Sequence, residues 1–357
     1  MKILYIMHVD WGWIKQRPHF IATELLEKHE LFILYPFSRH RSVMQKKNKK
    51  NFKYLPFLRI PGFGIMKGPN GFWWKLIIFT VIRCFSPEII WIGHPHYGWY
   101  IPKSFKGKIV YDCMDDHIAL EAIESEKMRI FNFEKYLVNK ANLILISSER
   151  IGQVLKNRFG IDIGRMKLIR NGFDGRVLQE QNVITDKDKV IIGYIGTIAE
   201  WFDFNLIISS LEKYPKLEYH LIGPCRTSVQ CYTHPRLIMH STVEHNNLYN
   251  IIKDYDCLIM PFLLNDIVES VDPVKLYEYI NFNKNIISIK YKEITRFNDF
   301  VHFYSDQEEF LNLINDIMKS KLCKKYTDKM RIEFLTNNTW KAREVAIEYE
   351  INKMLGL

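Results

Sequence analysis

Short apolar runs alternate along the chain with stretches whose apolar residues recur every three or four positions, the pattern of parallel strands crossed by helices. In the first half, 2–9, 31–36, 88–93, 108–113, 142–147 and 166–169 predict strands, while 18–28, 131–140 and 149–159 predict helices. The stretch 173–189 loses this periodicity to polar residues such as Gln179, Glu180, Gln181 and Asn182, and reads as a linker. A second series follows, with strands expected at 190–195, 219–222, 237–240, 257–260, 286–289 and 302–304, and helices near 203–213, 247–254, 273–282 and 307–318. The tail after Cys323 predicts two more helices divided near Asn337 and Asn338. The expected class is therefore α/β, with two doubly wound, Rossmann-like domains at 1–175 and 190–335. Residues 336–357 form a helix long enough to cross back onto the first domain.

Composition adds a location to this outline. A 357-residue chain that is 47% hydrophobic supports two cores and excludes a disordered protein. The first nine residues carry one charge and lead into Asp10, which suits a buried strand better than a cleaved signal, so a cytoplasmic protein is expected. Six cysteines are scattered, and Cys113 and Cys257 fall within strand patterns, as reduced core thiols do. Cys225, Cys231 and His234 come nearest to metal-ligand spacing, but no C-x-x-C or H-x-x-x-H accompanies them, and no metal is expected. The net charge of +10 is concentrated between Leu31 and Pro87, where there is no acidic residue. Arg39, Arg41, Lys46, Lys47, Lys49, Lys50, Lys53, Arg59, Lys67, Lys75 and Arg83 supply the whole excess, since the 39 other basic residues balance 40 acidic ones. Within this segment, Phe72-Trp73-Trp74-Lys75-Leu76-Ile77-Ile78-Phe79 has the composition of a helix resting at lipid headgroups, too short and too charged to span a bilayer. Residues 39–85 are thus expected to meet an anionic membrane surface; a core helix beside a solvated basic loop is the plainer alternative. No nucleic-acid motif accompanies the patch, and no nucleic-acid partner is expected.

The loops that follow strands carry the candidate chemistry. His8-Val9-Asp10-Trp11-Gly12-Trp13 has one glycine where a dinucleotide fingerprint needs three, and no P-loop occurs, which argues against nicotinamide and ATP chemistry by those routes. In the second half, Gly193-Tyr194-Ile195-Gly196-Thr197 would let a phosphate approach backbone N–H groups. Further on, Asp272 suits an N-cap and Pro273 a first helical position, which puts Lys275 and Glu278 on one face near the positive end of the helix dipole. There the lysine suits a diphosphate and the glutamate a pair of ribose hydroxyls, although a surface i,i+3 ion pair uses the same spacing.

Pro273-Val274-Lys275-Leu276-Tyr277-Glu278-Tyr279, followed by Asn285-Ile286-Ile287-Ser288, resembles the donor-site motif P-x-K-x-x-E-Y/A … G-x-P-V-V of bacterial GT-B glycosyltransferases. Trp13-Ile14-Lys15-Gln16-Arg17-Pro18-His19 resembles the W-x-x-x-R-P-H signature of family 4 enzymes of the capsule, teichuronic acid and exopolysaccharide type. Tyr111-Asp112-Cys113-Met114-Asp115-Asp116, Arg170-Asn171-Gly172-Phe173-Asp174 and Asn338-Thr339-Trp340-Lys341-Ala342-Arg343 resemble segments found in the same order in such proteins, so the likeness covers essentially the whole chain. Val274-Lys275-Leu276 is also similar to the xanthan-type glucuronosyltransferases.

The resemblance implies two domains facing across a cleft, the nucleotide sugar on the second and the acceptor on the first. Lys275 would meet the donor diphosphate or sugar, Glu278 the ribose, and Gly196 and Thr197 the phosphates, while His240, Thr242 and Val243 would border the base. Two positions depart from the pattern: Ser270 stands where retaining enzymes have a second glutamate, with Glu269 one residue out of register, and Asn285-Ile286 replaces G-x-P. Asp115 and Asp116 end a strand at the edge where open sheets present ligands, so either is a candidate base for the acceptor hydroxyl, and either is also a candidate helix cap. Their adjacency is not the D-x-D of metal-dependent glycosyltransferases, so a metal-independent enzyme without a cofactor is expected. Trp13, Gln16, Arg17 and His94 are candidates for the acceptor side and His96, at the same strand end as His94, for a substrate contact, with core or loop roles as the alternative. The expected function is transfer of a hexose or hexuronic acid from a UDP-type or GDP-type donor to a lipid-linked or surface-polysaccharide acceptor, peripherally at the inner membrane face. A sugar-nucleotide 2-epimerase and a catalytically silent GT-B subunit are the alternatives.

Overall fold

A computed structural model of the chain describes residues 1–13, 15–37, 52–58, 68–179, 188–226, 232–243 and 245–357. Arg39, Arg41, Lys46, Lys47, Lys49, Lys50, Arg59 and Lys67 of the basic segment lie outside the described residues, as do Ile14, Cys231 and the linker residues 180–187. The chain divides into two compact units, Met1–Asn171 with Trp340–Leu357, and Gly172–Thr339.

The first unit is built on strands β1 (Lys2–Ile6), β2 (Glu30–Pro36), β3 (Phe52–Phe57), β4 (Ile89–Ile92), β5 (Lys108–Cys113), β6 (Leu143–Ile146) and β7 (Met166–Leu168). All pair in parallel, in the order β3-β2-β1-β4-β5-β6-β7, so the order reverses between β1 and β4. Such a sheet is covered on both faces, which is why the interior strands Ile89-Ile90-Trp91-Ile92 and Leu143-Ile144-Leu145-Ile146 are apolar at every position. Strand periodicity divides β1 between two cores: Leu4 and Ile6 face one, Ile3 and Tyr5 the other. Helices α1 (Arg17–Leu25), α2 (Gly68–Phe85), α3 (Pro95–Gly98), α4 (Glu124–Lys140) and α5 (Glu149–Phe159) follow the strands. Local chemistry sets their ends. The Ser148 hydroxyl caps α5 by accepting from Ile151 N–H at 3.2 Å, and Gly160, at φ +68°, terminates it. The helix Trp340–Leu355 closes this unit: Trp340 stacks on Phe20 with ring centroids 5.0 Å apart, and Ile347 and Ile351 enter the core with Ile21 and Leu25.

The second unit repeats the architecture with strands β8 (Val190–Ile195), β9 (Leu217–Ile222), β10 (Leu237–His240), β11 (Cys257–Met260), β12 (Asn285–Ile289) and β13 (His302–Tyr304). Their order, β10-β9-β8-β11-β12-β13, is again all parallel and reverses between β8 and β11. Helices α6 (Phe204–Lys213), α7 (His245–Ile252), α8 (Asp266–Ser270), α9 (Val274–Asn281), α10 (Gln307–Met318) and α11 (Asp328–Asn337) complete it. Arg331 of α11, fully buried, donates to the carbonyls of Asn281 at 3.0 Å and Leu178 at 2.7 Å, and fixes the end of α9. The final helix, Trp340–Leu355, is α12.

Candidate functional site

In an open α/β sheet ligands meet the carboxyl ends of the strands where the order reverses. In the second unit that point is the end of β8, where Gly196 has φ +142°, a conformation side-chain-bearing residues avoid. A Cβ there would overlap Lys275 Cε and lie 2.8 Å from Lys275 Nζ, so the lysine reaches back over the glycine. On the far side, a Cβ at Gly223, φ +139°, would overlap the Gly196 carbonyl. The backbone at the end of β8 thus lies bare beneath one ammonium and packs closely on the end of β9. Tyr279 anchors α9 above them, its hydroxyl accepting from Ile195 N–H at 2.9 Å.

Asp272 does not cap α9. The helix begins at Val274 after Pro273, and Asp272, buried, pairs with Arg296, which also donates to the Tyr277 hydroxyl at 2.7 Å. Lys275 consequently sits in the first turn with Glu278 one turn on. Burial lowers the Lys275 pKa, and the nearby Glu278 carboxylate opposes the shift. Its Nζ lies 6.0 Å from the Tyr194 ring centre and hydrogen-bonds to no described residue. A half-buried ammonium without a hydrogen-bonded counter-charge among the described residues is suited to an incoming anion. His240 ends β10, and its carbonyl approaches Gly223 N–H at 3.5 Å, so it shares this edge; its Nε2 lies 3.1 Å from His220 Nδ1. Thr197 is half-buried beside Gly196, Thr242 is exposed and Val243 half-buried beyond β10. Ser270, at the departure from the retaining pattern, is buried with its hydroxyl donated to Ile267 O at 2.7 Å.

In the first unit, β5 delivers three aspartates to three environments. Asp112 is buried and paired with Arg17, whose Nη2 lies 2.8 Å from Oδ1 and whose Nε donates to the same oxygen at 3.0 Å. Arg17 Nη1 donates to Ile169 O at 2.6 Å. Arg17, expected on the acceptor side, is therefore an internal tie between α1, β5 and the segment after β7, not an open contact. Asp116 accepts two bonds from Arg158, at 2.9 and 2.8 Å, and caps Ile118 and Ala119 N–H at 3.2 Å each. Burial alone would raise its pKa, but Arg158 and the two amides outweigh it and the net shift is downward. Asp115 makes no side-chain hydrogen bond to a described residue, and its pKa is pushed up to about 6, first by burial and then by Asp112 and Asp116, against the pull of Arg17. Of the adjacent pair, only Asp115 has a free, proton-accepting carboxylate near neutrality. Gln16 precedes α1, its N–H donating to His19 Nδ1 at 3.1 Å, and Trp13 is half-buried in the preceding turn.

The ends of β1, β4 and β5 bring together four histidines, of which His8 and His117 had no signal beyond following a strand. The His94 ring lies 4.4 Å from His117, 4.8 Å from His96 and 5.9 Å from His8, between centroids. His94 Nδ1 accepts from His96 N–H at 3.4 Å and lies 3.0 Å from His96 Nδ1, which places the His94 proton on Nε2 and a His96 proton on Nδ1. Burial lowers the pKa of His8 to about 4, helped by His19, and that of His117 to about 3, helped by His8 and His96 against Asp116; burial and the His117, His96 and His8 imidazoles hold His94 well below its ordinary value. His96 falls to about 4 through burial and Arg129. The cluster is neutral at physiological pH, with His8 Nδ1 and His117 Nε2 unpartnered among the described residues. Neutral imidazoles at a sheet edge offer donors and acceptors to hydroxyls. They do not offer positive charge.

No protein-family model matches the chain. It is 19% identical over 197 residues to the putative teichuronic acid biosynthesis glycosyltransferase TuaH of Bacillus subtilis, an alignment covering 50% of each chain, so the chain spans about half the length of the curated relative it matches. Among solved structures it is similar to sucrose-phosphate synthase from Thermosynechococcus elongatus, with TM-score 0.75, 11% identity and 99% of each chain covered. It is also similar to Anabaena HepE in complex with UDP and glucose, with TM-score 0.63, 14% identity, and 100% of this chain and 99% of that one covered. The chain has the GT-B glycosyltransferase fold.

Proposed function

We propose that the chain is a glycosyltransferase that moves a hexose or hexuronic acid from a nucleoside-diphosphate donor to a hydroxyl of a lipid-linked or surface-polysaccharide acceptor at the cytoplasmic membrane face. The observation that carries this reading is Lys275 poised over the bare backbone of Gly196, with Glu278 one helical turn on. The ammonium and the first turn of α9 meet the diphosphate, and Glu278 accepts from the ribose hydroxyls. Thr197 lies on the phosphate side, and His240, Thr242 and Val243 border the base. As the acceptor oxygen bonds to the anomeric carbon, the bond from that carbon to the diphosphate oxygen breaks and the nucleoside diphosphate leaves with the electron pair. Lys275 and the helix dipole stabilise the charge developing there, with no divalent ion needed. Asp115 takes the acceptor proton, with His94, His117 and His8 positioning sugar hydroxyls. The likeness to a teichuronic acid enzyme and to a fold mate holding UDP and glucose supports this reading.

Thermal-shift measurements against UDP, GDP, CMP and dTDP test it, because a ligand bound only by the folded state raises the melting temperature. One nucleoside diphosphate is expected to stabilise the wild type and to lose most of that effect in Lys275→Ala. Stabilisation by none of them, or an effect untouched by the substitution, would remove the donor-site assignment.

A further inference from the structure

Helix α2 buries Trp74, Ile78, Val81 and Phe85 in the first unit, yet it carries a second apolar stripe that nothing among the described residues covers. Phe72, Leu76 and Phe79 lie along it at helical spacing and are 70%, 43% and 44% exposed. Trp99, 55% exposed, stands across a groove from them, which Tyr100, Pro102 and Tyr136 complete. The groove continues along Phe79, Arg83, Pro102 and Lys106 on one side, and past Tyr136 to Lys135 and Lys140 on the other. Its charged lining is entirely cationic: Lys75 and Lys103 in the groove itself, then Arg83, Lys106, Lys135 and Lys140 along its extensions. None of these six pairs with a carboxylate among the described residues, whereas Lys127 and Arg129, on the same helix as Lys135, are paired with Glu124 and Glu126.

We propose that this groove is the face on which the first unit rests on an anionic bilayer, with Phe72, Leu76, Phe79 and Trp99 at acyl depth and the six cations at phosphate level. The inference rests on the membrane-linked acceptor proposed above and deepens it. It puts the contact on α2, the Trp99–Lys106 segment and α4, beyond the 39–85 stretch that sequence composition singles out. Exposed aromatic and aliphatic side chains ringed by uncompensated cations match both layers of such a surface, hydrocarbon below and phosphate above. A second copy of the chain would bring like charges together, which disfavours self-association through this face.

The test is co-sedimentation of the full chain with vesicles of equal phosphatidylcholine and phosphatidylglycerol, against phosphatidylcholine alone. The wild type is expected to bind the anionic vesicles and to release partly as salt is raised. The combined variant Phe72→Gln, Leu76→Gln, Phe79→Gln keeps good helix formers on an exposed face and is expected to reduce binding about tenfold or more for each side chain withdrawn. Lys103→Gln, Lys106→Gln, Lys135→Gln is expected to weaken binding roughly a hundredfold, about fivefold per cation, and to flatten the salt dependence. Both variants should keep the wild-type melting temperature and nucleotide-induced shift, and either alone suffices if the other fails to fold. Wild-type indifference to anionic vesicles, or unchanged binding in both variants, overturns the proposal. So does self-association or capture of an acidic protein by this face in the absence of vesicle binding. A nucleotide shift that persists while vesicle binding fails removes the surface and leaves the donor site standing.

Discussion

Replacing Asp115 and Asp116 separately by asparagine separates chemistry from architecture at adjacent positions. Asp116 holds Arg158 through two contacts of 2.9 and 2.8 Å and caps two amides. Asparagine keeps one acceptor but loses the charge, and hydrogen bonds to charged groups contribute about 1.5 to 3 kcal/mol each. Because the Arg158 side chain remains 22% exposed, the lower part of that range applies, about 2 kcal/mol. For a unit of this size that lowers the melting temperature by roughly 4 to 8 °C, while activity measured below the transition falls little. Asp115→Asn should do the reverse. Its carboxyl pKa in the folded state is raised to about 6, so the native state binds the proton more tightly than the unfolded chain does and loses stability as pH rises from about 4 to 6. The substitution removes that penalty: the variant should match the wild type below pH ~4 and melt higher above pH ~6, by the equivalent of ~1 to 3 kcal/mol. Its turnover should fall about 100-fold to 10,000-fold, the usual contribution of a general base. Calorimetry from pH 4 to 8, with release of UDP from a UDP-sugar as the activity assay, measures both. A folded, unshifted and inactive Asp116→Asn beside a fully active Asp115→Asn would refute the assignment.

Three further outcomes are expected. The pH profile of kcat/KM should have an acid limb near 6, rising as Asp115 deprotonates, and lose it in Asp115→Asn; a limb near 6.5 surviving that substitution would point to a histidine titrating at its ordinary value. Gly196→Val should abolish nucleotide-induced stabilisation, because its Cβ displaces Lys275 and φ +142° costs a branched residue about 1 to 3 kcal/mol; an undiminished thermal shift would show that the lysine does not act from above the glycine. Arg17→Met, which leaves Asp112 buried and alone, should cost about 3 to 5 kcal/mol of stability, with the double variant Arg17→Met, Asp112→Leu recovering part of it in denaturant titrations; strict additivity would argue against the pair.

The strands were legible because parallel strands buried on both faces leave few polar residues to confuse the pattern, as at Ile89-Ile90-Trp91-Ile92. β3 was not. Phe52-Lys53-Tyr54-Leu55-Pro56-Phe57 contains a lysine and a proline, which an edge strand tolerates because one side has no ladder to complete, and in sequence that reads as loop. α4 begins at Glu124, ahead of the expected 131, since its polar first turns carry little apolar signal. Lys275 and Glu278 were readable as a pair on one helix, but the cap was misplaced because Asp272 had a stronger partner 24 residues away in Arg296. Asp116 and Arg158, 42 residues apart, gave no local hint of their pairing. The histidine cluster depends on β1, β4 and β5 being neighbours, a consequence of strand order that no single segment contains.

The return of α12 to the first unit bears on synthesis as well as structure. Trp340, Ile347 and Ile351 complete a core in which Ile21 and Leu25 were made more than three hundred residues earlier. The second unit, enclosed between residues 171 and 340, has its whole core available once Leu335 is made. On the ribosome it can therefore finish folding while the first unit still exposes the face that α12 will cover. A chain stopped before Trp340 should consequently yield a sound second unit and an aggregation-prone first one.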